Sequence, residues 1–155
     1  QNIVGNNPST NKINNIESLV TSNVTNISKM FYTCKLSSLD LSKWDTSNVT
    51  NMEWLFRACD KLTDLDLTNF NTANVTNMSQ MFDGCSNLTS LVCMQNIPVA
   101  LDLFHTILDT ASLLDVIDNL ATVTTNQTLT LGSKLLAKLT EDQIATATNK
   151  GWTVA

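Results

Sequence analysis

The residues of this 155-residue chain with reactive or ligating chemistry are four cysteines, a single histidine and a close set of carboxylates. Cys34, Cys59, Cys85 and Cys93 have the chemistry for disulfides, a metal site or a nucleophile. Their spacing favours none of these. No C-x-x-C pair occurs, so the usual zinc pattern is missing. Cys34, Cys59 and Cys85 recur at intervals of 25 and 26 residues, which gives them one position in a repeated unit. On the helical side of such a unit they would stand roughly 8 to 10 Å apart, whereas a disulfide needs Cα atoms within about 7 Å. Three buried thiols acting as small hydrophobes are expected.

A catalytic pair would have to join Cys93 or a serine to His105, and nothing in the sequence brings them together. Cys93 stands where the preceding unit has Leu67, a core position in which a thiol is inert. Glycine-rich phosphate loops and a Gly-x-Ser-x-Gly elbow are absent. The sequence therefore predicts no enzyme, no cofactor and no resident metal.

The carboxylates belong to a binding surface. If Leu39, Leu41, Leu65 and Leu67 point inwards from strands, alternation turns Ser38, Asp40, Ser42, Asp64, Asp66 and Thr68 outwards. Ser90, Val92 and Met94 continue those columns, with Thr128, Thr130 and Thr153 beyond them. Asp40 and Asp66 fall in one column on neighbouring strands, about 5 Å apart. Two readings of Asp40, Asp64 and Asp66 follow: a solvated acidic stripe screened by salt, or a weak seat for Ca²⁺ or a partner's basic group. The solvated stripe is the simpler. Trp54 replaces the polar Lys29 and Gln80 of the neighbouring units, so it should lie on the outer helical face as a possible contact. An isolated surface apolar residue is the plainer account of it. Trp44 and Trp152 stand at apolar positions of the pattern and read as core.

These positions presuppose a repeat. TSNVTN occurs at residues 21–26 and 46–51 and returns as TANVTN at 72–77. Met30, Leu55 and Met81, then Phe31, Phe56 and Phe82, keep the same frame. One residue is missing between Cys34 and Leu36, which makes one interval 25 and the other 26. Such a period is that of leucine-rich and related solenoids. Val75, Met78, Met81, Phe82 and Cys85 have the three-and-four spacing of a short helix, and Leu62, Leu65 and Leu67 supply a strand. The expected fold is α/β: a leucine-rich-repeat-like solenoid with parallel strands on one face and short helices on the other.

The order "NVTNM, MF, C, L-x-x-L-x-L, W/F-(D/N)-T" resembles the BspA-like leucine-rich repeats of bacterial surface proteins, from about Ile16 to Leu91. The tail "LAKLT…ATNKGWTVA" is similar to the ends of such arrays in Firmicute and prophage-associated proteins. The resemblance implies a non-catalytic adhesion module that is extracellular, on a bacterial cell surface or a phage particle. It would bind protein or glycan as part of a larger displayed chain. The alternative is a host-binding or structural component of a phage or phage-like particle.

Three segments are expected: a polar N-terminal arm at 1–12, the repeats with a partial first unit at 13–97, and irregular C-terminal repeats with a cap at 98–155. Ile16 and Leu19 take the places of Leu41 and Trp44 in the partial unit. In the C-terminal segment Leu129 and Leu131 precede Trp152 and Val154 by 23 residues, suggesting two further strands of the same sheet. Thr140 to Gln143 fit a capping box and Gly151 a helix stop. Leu113, Val116, Ile117 and Leu120 mark another helix. Leu101-Asp-Leu103 follows Leu91 too closely for a parallel crossover, so either a run leaves the sheet or Pro98 marks a reversal.

A net charge of −5 with nine dispersed Lys and Arg argues against nucleic acid and anionic membranes. No apolar run spans a bilayer and no secretory signal is visible, while the start at Gln1 suggests a processed fragment. Asn23, Asn26, Asn48, Asn74, Asn77, Asn87 and Asn126 begin N-x-S/T sequons. The repeat itself generates most of them, and turn-bonding and capping roles are the preferred reading.

Overall fold

The computed structural model describes residues 16 and 19–155. The arm expected at 1–12 lies outside the described residues. The first sheet has two strands, β1 (Asp64–Asp66) and β2 (Ser90–Val92), paired in parallel with Leu65 opposite Leu91. Each strand buries its central leucine and turns its flanking residues outwards, as a period of two requires.

A second parallel sheet has the order β3 (Leu101–Asp102), β4 (Gln127–Thr130), β5 (Trp152–Val154). The expectation of one continuous sheet is thus corrected to two, and Thr128, Thr130 and Thr153 belong to the second. The register also differs from the expected one, since Leu129 pairs with Val154 and Gln127 with Trp152. The Leu101 run resolves as the strand that opens this second sheet. Leu39 and Leu41 are buried as expected, but 38–42 form no strand. That loop is held at its ends, where Ser37 O accepts from Thr63 N at 3.0 Å and Ser42 O from Asn69 Nδ2 at 2.9 Å.

The helix expected at Val75–Cys85, and in the two units before it, is a run of tight turns. Alternate amides close turns onto the third residue back: Leu55 onto Met52, Arg57 onto Trp54, Cys59 onto Phe56. The amides between them leave the unit altogether. Met52, Trp54, Phe56 and Ala58 donate to Asn77 O, Ser79 O, Met81 O and Asp83 O at 2.7–3.1 Å. Ile27, Lys29, Phe31 and Thr33 donate likewise to Asn51, Glu53, Leu55 and Arg57. An α-helix would have used all these donors internally. The turn geometry requires positive φ at every fourth residue, seen at Lys29 and Thr33, Trp54 and Ala58, Gln80 and Gly84. Side chains at three-and-four spacing still face inwards, which is why the apolar pattern imitates a helix.

Between the strand side and the turn side the core is built in columns. Phe31, Phe56 and Phe82 stack with ring centroids 5.4 and 5.8 Å apart, and Trp44 stacks on Phe70 at 6.3 Å. Each fully buried ring or leucine contributes about 1.5–3 kcal/mol relative to exposure, and the geometry of stacked rings adds to this. The threonine that opens each TSNVTN copy is buried. Thr21 Oγ1 accepts from Asp45 N, Thr46 Oγ1 accepts from Asn71 N, and Thr72 Oγ1 donates to Gln95 O at 2.7 Å. Asn48 and Asn74 donate to Ser22 O and Ser47 O of the preceding copy. The motif is therefore a polar seam joining successive copies.

Helix α1 (Thr110–Asn119) buries Leu113, Val116 and Ile117 and starts at Asp109, whose carboxylate accepts from Ser112 N. It also ends the first sheet. The outer amides of β2 would otherwise be open, but Leu91 N donates to Ser112 Oγ at 3.0 Å and Cys93 N to Asp115 Oδ2 at 2.6 Å. Helix α2 (Gly132–Leu136) follows β4, and α3 (Glu141–Asn149) follows it with the reciprocal Thr140–Gln143 capping box in place. Gly151 stops α3 at φ +91°, where a Cβ would meet Val123 O at 2.4 Å.

Candidate functional site

The strand face presents Ser38, Asp40, Ser42, Asp64, Asp66, Thr68 and Val92 to solvent, with Ser90 and Thr130 half-buried. Met94 is the exception. It is completely buried, so the outward position expected for it is corrected: beyond Cys93 the chain leaves the strand, alternation ends, and both Cys93 and Met94 turn in. Thr130, in the second sheet, pairs with Asp102.

Two carboxylates of this face are occupied by nearby backbone amides and the third by a neighbouring hydroxyl. Asp40 Oδ1 accepts from Ser42 N at 3.0 Å, and Asp66 Oδ1 from Thr68 N at 2.9 Å and from the Thr68 hydroxyl. Asp64 accepts from Thr63 Oγ1 at 2.7 Å. The Asp40 and Asp66 contacts are local Asx turns, in which a side chain fixes a bend of its own backbone. The Ser42 hydroxyl and amide hold Asp40 below the usual carboxylate range. No group of three or more His, Cys, Asp or Glu side chains fit to hold a metal exists among the described residues. The geometry thus gives Asp40 and Asp66 turn-forming roles and pairs Asp64 with the Thr63 hydroxyl.

Trp54 lies on the turn side, half-exposed. Its ring carries Lys29 Nζ at 4.6 Å and the Arg57 guanidinium at 4.2 Å, with Tyr32 tilted against it at 5.8 Å. These cation–π contacts already use the ring. The four thiols are all free and buried. The expected separation of the stacked cysteines is overturned, because the units are joined by hydrogen bonds and pack at the spacing of paired chains, about 4.8 Å. Cys59 Sγ donates to Phe31 O and Cys85 Sγ to Phe56 O, each at 3.1 Å. Burial pushes Cys85 and Cys93 up to about 12. Cys34 is drawn down to about 7 by the adjacent Cys59 thiol, yet it is 1% exposed.

A cluster of Arg57, Asp83 and His105 escaped the sequence reading. Asp83 Oδ2 meets Arg57 Nε at 2.8 Å and Asp83 Oδ1 meets His105 Nδ1 at 2.7 Å. His105 is thereby oriented with Nε2 free of the carboxylate. Next to it Ser86, Phe104, His105, Thr106, Ile107, Leu131, Gly132, Ser133 and Lys134 line a cavity of about 350 Å³. Its volume is at the lower end for small-molecule pockets. Phe104 and Ile107 remain 56% and 46% exposed in its wall. Ser86 shares the wall with His105, but no hydroxyl or thiol hydrogen-bonds His105 among the described residues. The available signal was the repeat column Tyr32, Arg57, Asp83, where opposite charges occupy equivalent places one unit apart.

The sequons divide by geometry. Asn48, Asn74 and Asn87 engage their Nδ2 atoms with backbone carbonyls, while Asn26 and Asn77 use Oδ1 to accept from Ser28 N and Ser79 N. No described helix is long and apolar enough to cross a membrane.

A family model described as "Mycoplasma protein of unknown function, DUF285" matches residues 1–114. No curated protein and no solved structure matches the chain.

Proposed function

The chain belongs to the DUF285 family, and we propose on that premise that it is a non-catalytic recognition module of a bacterial surface or particle. In this reading it is a leucine-rich-repeat-like solenoid of the BspA-like kind and binds protein or glycan through its exposed strand face. The observation that carries the reading is the row Ser38, Asp40, Ser42, Asp64, Asp66 and Thr68, all exposed on units whose cores are fully buried. Short hydroxyl and carboxylate side chains on a backbone fixed by inter-unit bonds lose little entropy on binding. Buried thiols favour the recognition reading over nucleophilic chemistry.

The test is a glycan and protein binding screen with the wild type and the double substitution Asp40→Asn/Asp66→Asn. Asparagine keeps the Asx turn and removes the charge. A ligand of this face loses tenfold or more of its affinity in the variant; ligands that bind both proteins equally would rule the face out.

A further inference from the structure

Phe104 is more than half exposed, yet its surroundings fix it in place. Its amide donates to Asp102 Oδ1 at 2.9 Å, and its ring stands edge-on to His105 with centroids 5.0 Å apart. His105 is in turn held by Asp83, whose other oxygen meets Arg57. The Phe104 ring also lies against Gly132. A Cβ at Gly132 would meet Phe104 Cδ2 at 2.5 Å, so this contact depends on glycine.

The segment that carries the ring is anchored as well. Thr106 closes a turn onto Leu103 O through both its amide and its hydroxyl, while Ile107 N and Asp109 N donate to Leu88 O and Thr89 O of the third unit. Phe104 and Ile107 therefore give the cavity of about 350 Å³ a fixed apolar wall that is open to solvent.

The same cavity carries one unmatched charge. Lys134 lines it, is exposed, and has no anion or carbonyl partner among the described residues. Lys35, Lys138 and Lys150, by contrast, each have an oxygen acceptor. The hydroxyls of Ser86 and Ser133, also in the wall, have no hydrogen-bond partner among the described residues. Asp83, the carboxylate that reaches this wall, is already matched by Arg57 and His105.

A wall that is ordered beforehand loses little entropy when a ligand covers it. An aromatic ligand gains more from Phe104 than buried area alone gives, because paired rings have a favourable geometry. A carboxylate on that ligand would supply the anion that Lys134 lacks and accept from the free hydroxyls.

We propose that the cavity between Phe104 and Lys134 binds a small aromatic carboxylate. Its ring lies on Phe104 and Ile107, and its carboxylate faces Lys134 with Ser86 and Ser133 as hydroxyl donors. The cavity shares no residue with the strand face, so its failure leaves the reading of that face untouched.

The probe is phenylacetate, titrated into the whole isotope-labelled chain and followed by NMR, with phenylacetamide and acetate as comparisons. Phenylacetate binds with a Kd on the order of 1 mM and shifts the amides of Phe104, Ile107, Gly132 and Ser133. Phenylacetamide lacks the charge and acetate the ring, and each binds about tenfold more weakly. Lys134→Met keeps the apolar stem at an exposed position; it lowers the affinity for phenylacetate about tenfold and leaves that for phenylacetamide unchanged. Lys61→Met, exposed in the second unit, alters neither. Absence of saturation below roughly 50 mM, equal affinity for acid and amide, or shifts confined to other surfaces overturns the proposal. Undiminished phenylacetate binding in Lys134→Met overturns it too. The comparison of acid with amide on the wild type decides independently of how the variant folds.

Discussion

Aspartate in this chain serves the backbone before it serves any partner. Asp40, Asp66 and Asp102 each take the amide two residues on, and Asp109 takes that of Ser112 at 2.7 Å as the first residue of a helix cap. The Ser112 amide and hydroxyl hold Asp109 below the ordinary carboxylate value. A group lowered in this way stabilises the fold above its unfolded value of about 4, and the gain is lost as pH falls through the lower folded value. Asp109→Ala should cost about 1 kcal/mol at pH 7, read as a lower midpoint in urea, and the difference from wild type should vanish near pH 2. The capping roles around Thr140 and Gly151 were legible because cap residues have fixed offsets. The roles of Asp40 and Asp66 were not, since alternation tells which way a side chain leaves the strand but not whether it bends back to its own amide.

At the scale of the element, the misreading of the NVTNM-to-Cys segments has a single cause. Apolar spacing of three and four records which residues face inwards, and both a helix and this chain of turns satisfy it. What separates them is the destination of alternate amides, and no local pattern encodes that. Backbone conformation offers a discriminating measurement. Ala58 sits at φ +59°, a left-handed conformation that disfavours L residues by about 1–2 kcal/mol. Ala58→Gly should therefore leave stability unchanged or raise it by up to about 1 kcal/mol. In a helix the same change would lower stability by about 1 kcal/mol. Gly84, its equivalent in the next unit, supports the sign, since it already has glycine at φ +76°. Thermal melting of the variant decides the matter.

For the whole molecule, the repeat period and the buried columns were readable because copies of one motif must bury the same residues. The division into two sheets was not, because it depends on Ser112 and Asp115 reaching the amides of β2 from a helix some twenty residues further on. The columns tie the cysteines to global unfolding. All four thiols are at most 2% exposed, so a thiol reagent such as dithionitrobenzoate should find none of them within minutes at pH 8 and four after denaturation. Fewer than four in denaturant would reveal a disulfide; rapid reaction in the native state would show that the stack opens locally. The turn segments also give the molecule an electrical direction. Eight inter-unit bonds, from Ile27 to Ala58, run in one sense, amide in the earlier unit and carbonyl in the later. Their peptide dipoles add across the stack as they do along a helix. The result is a polar axis perpendicular to the chain path, with its positive end towards the third unit.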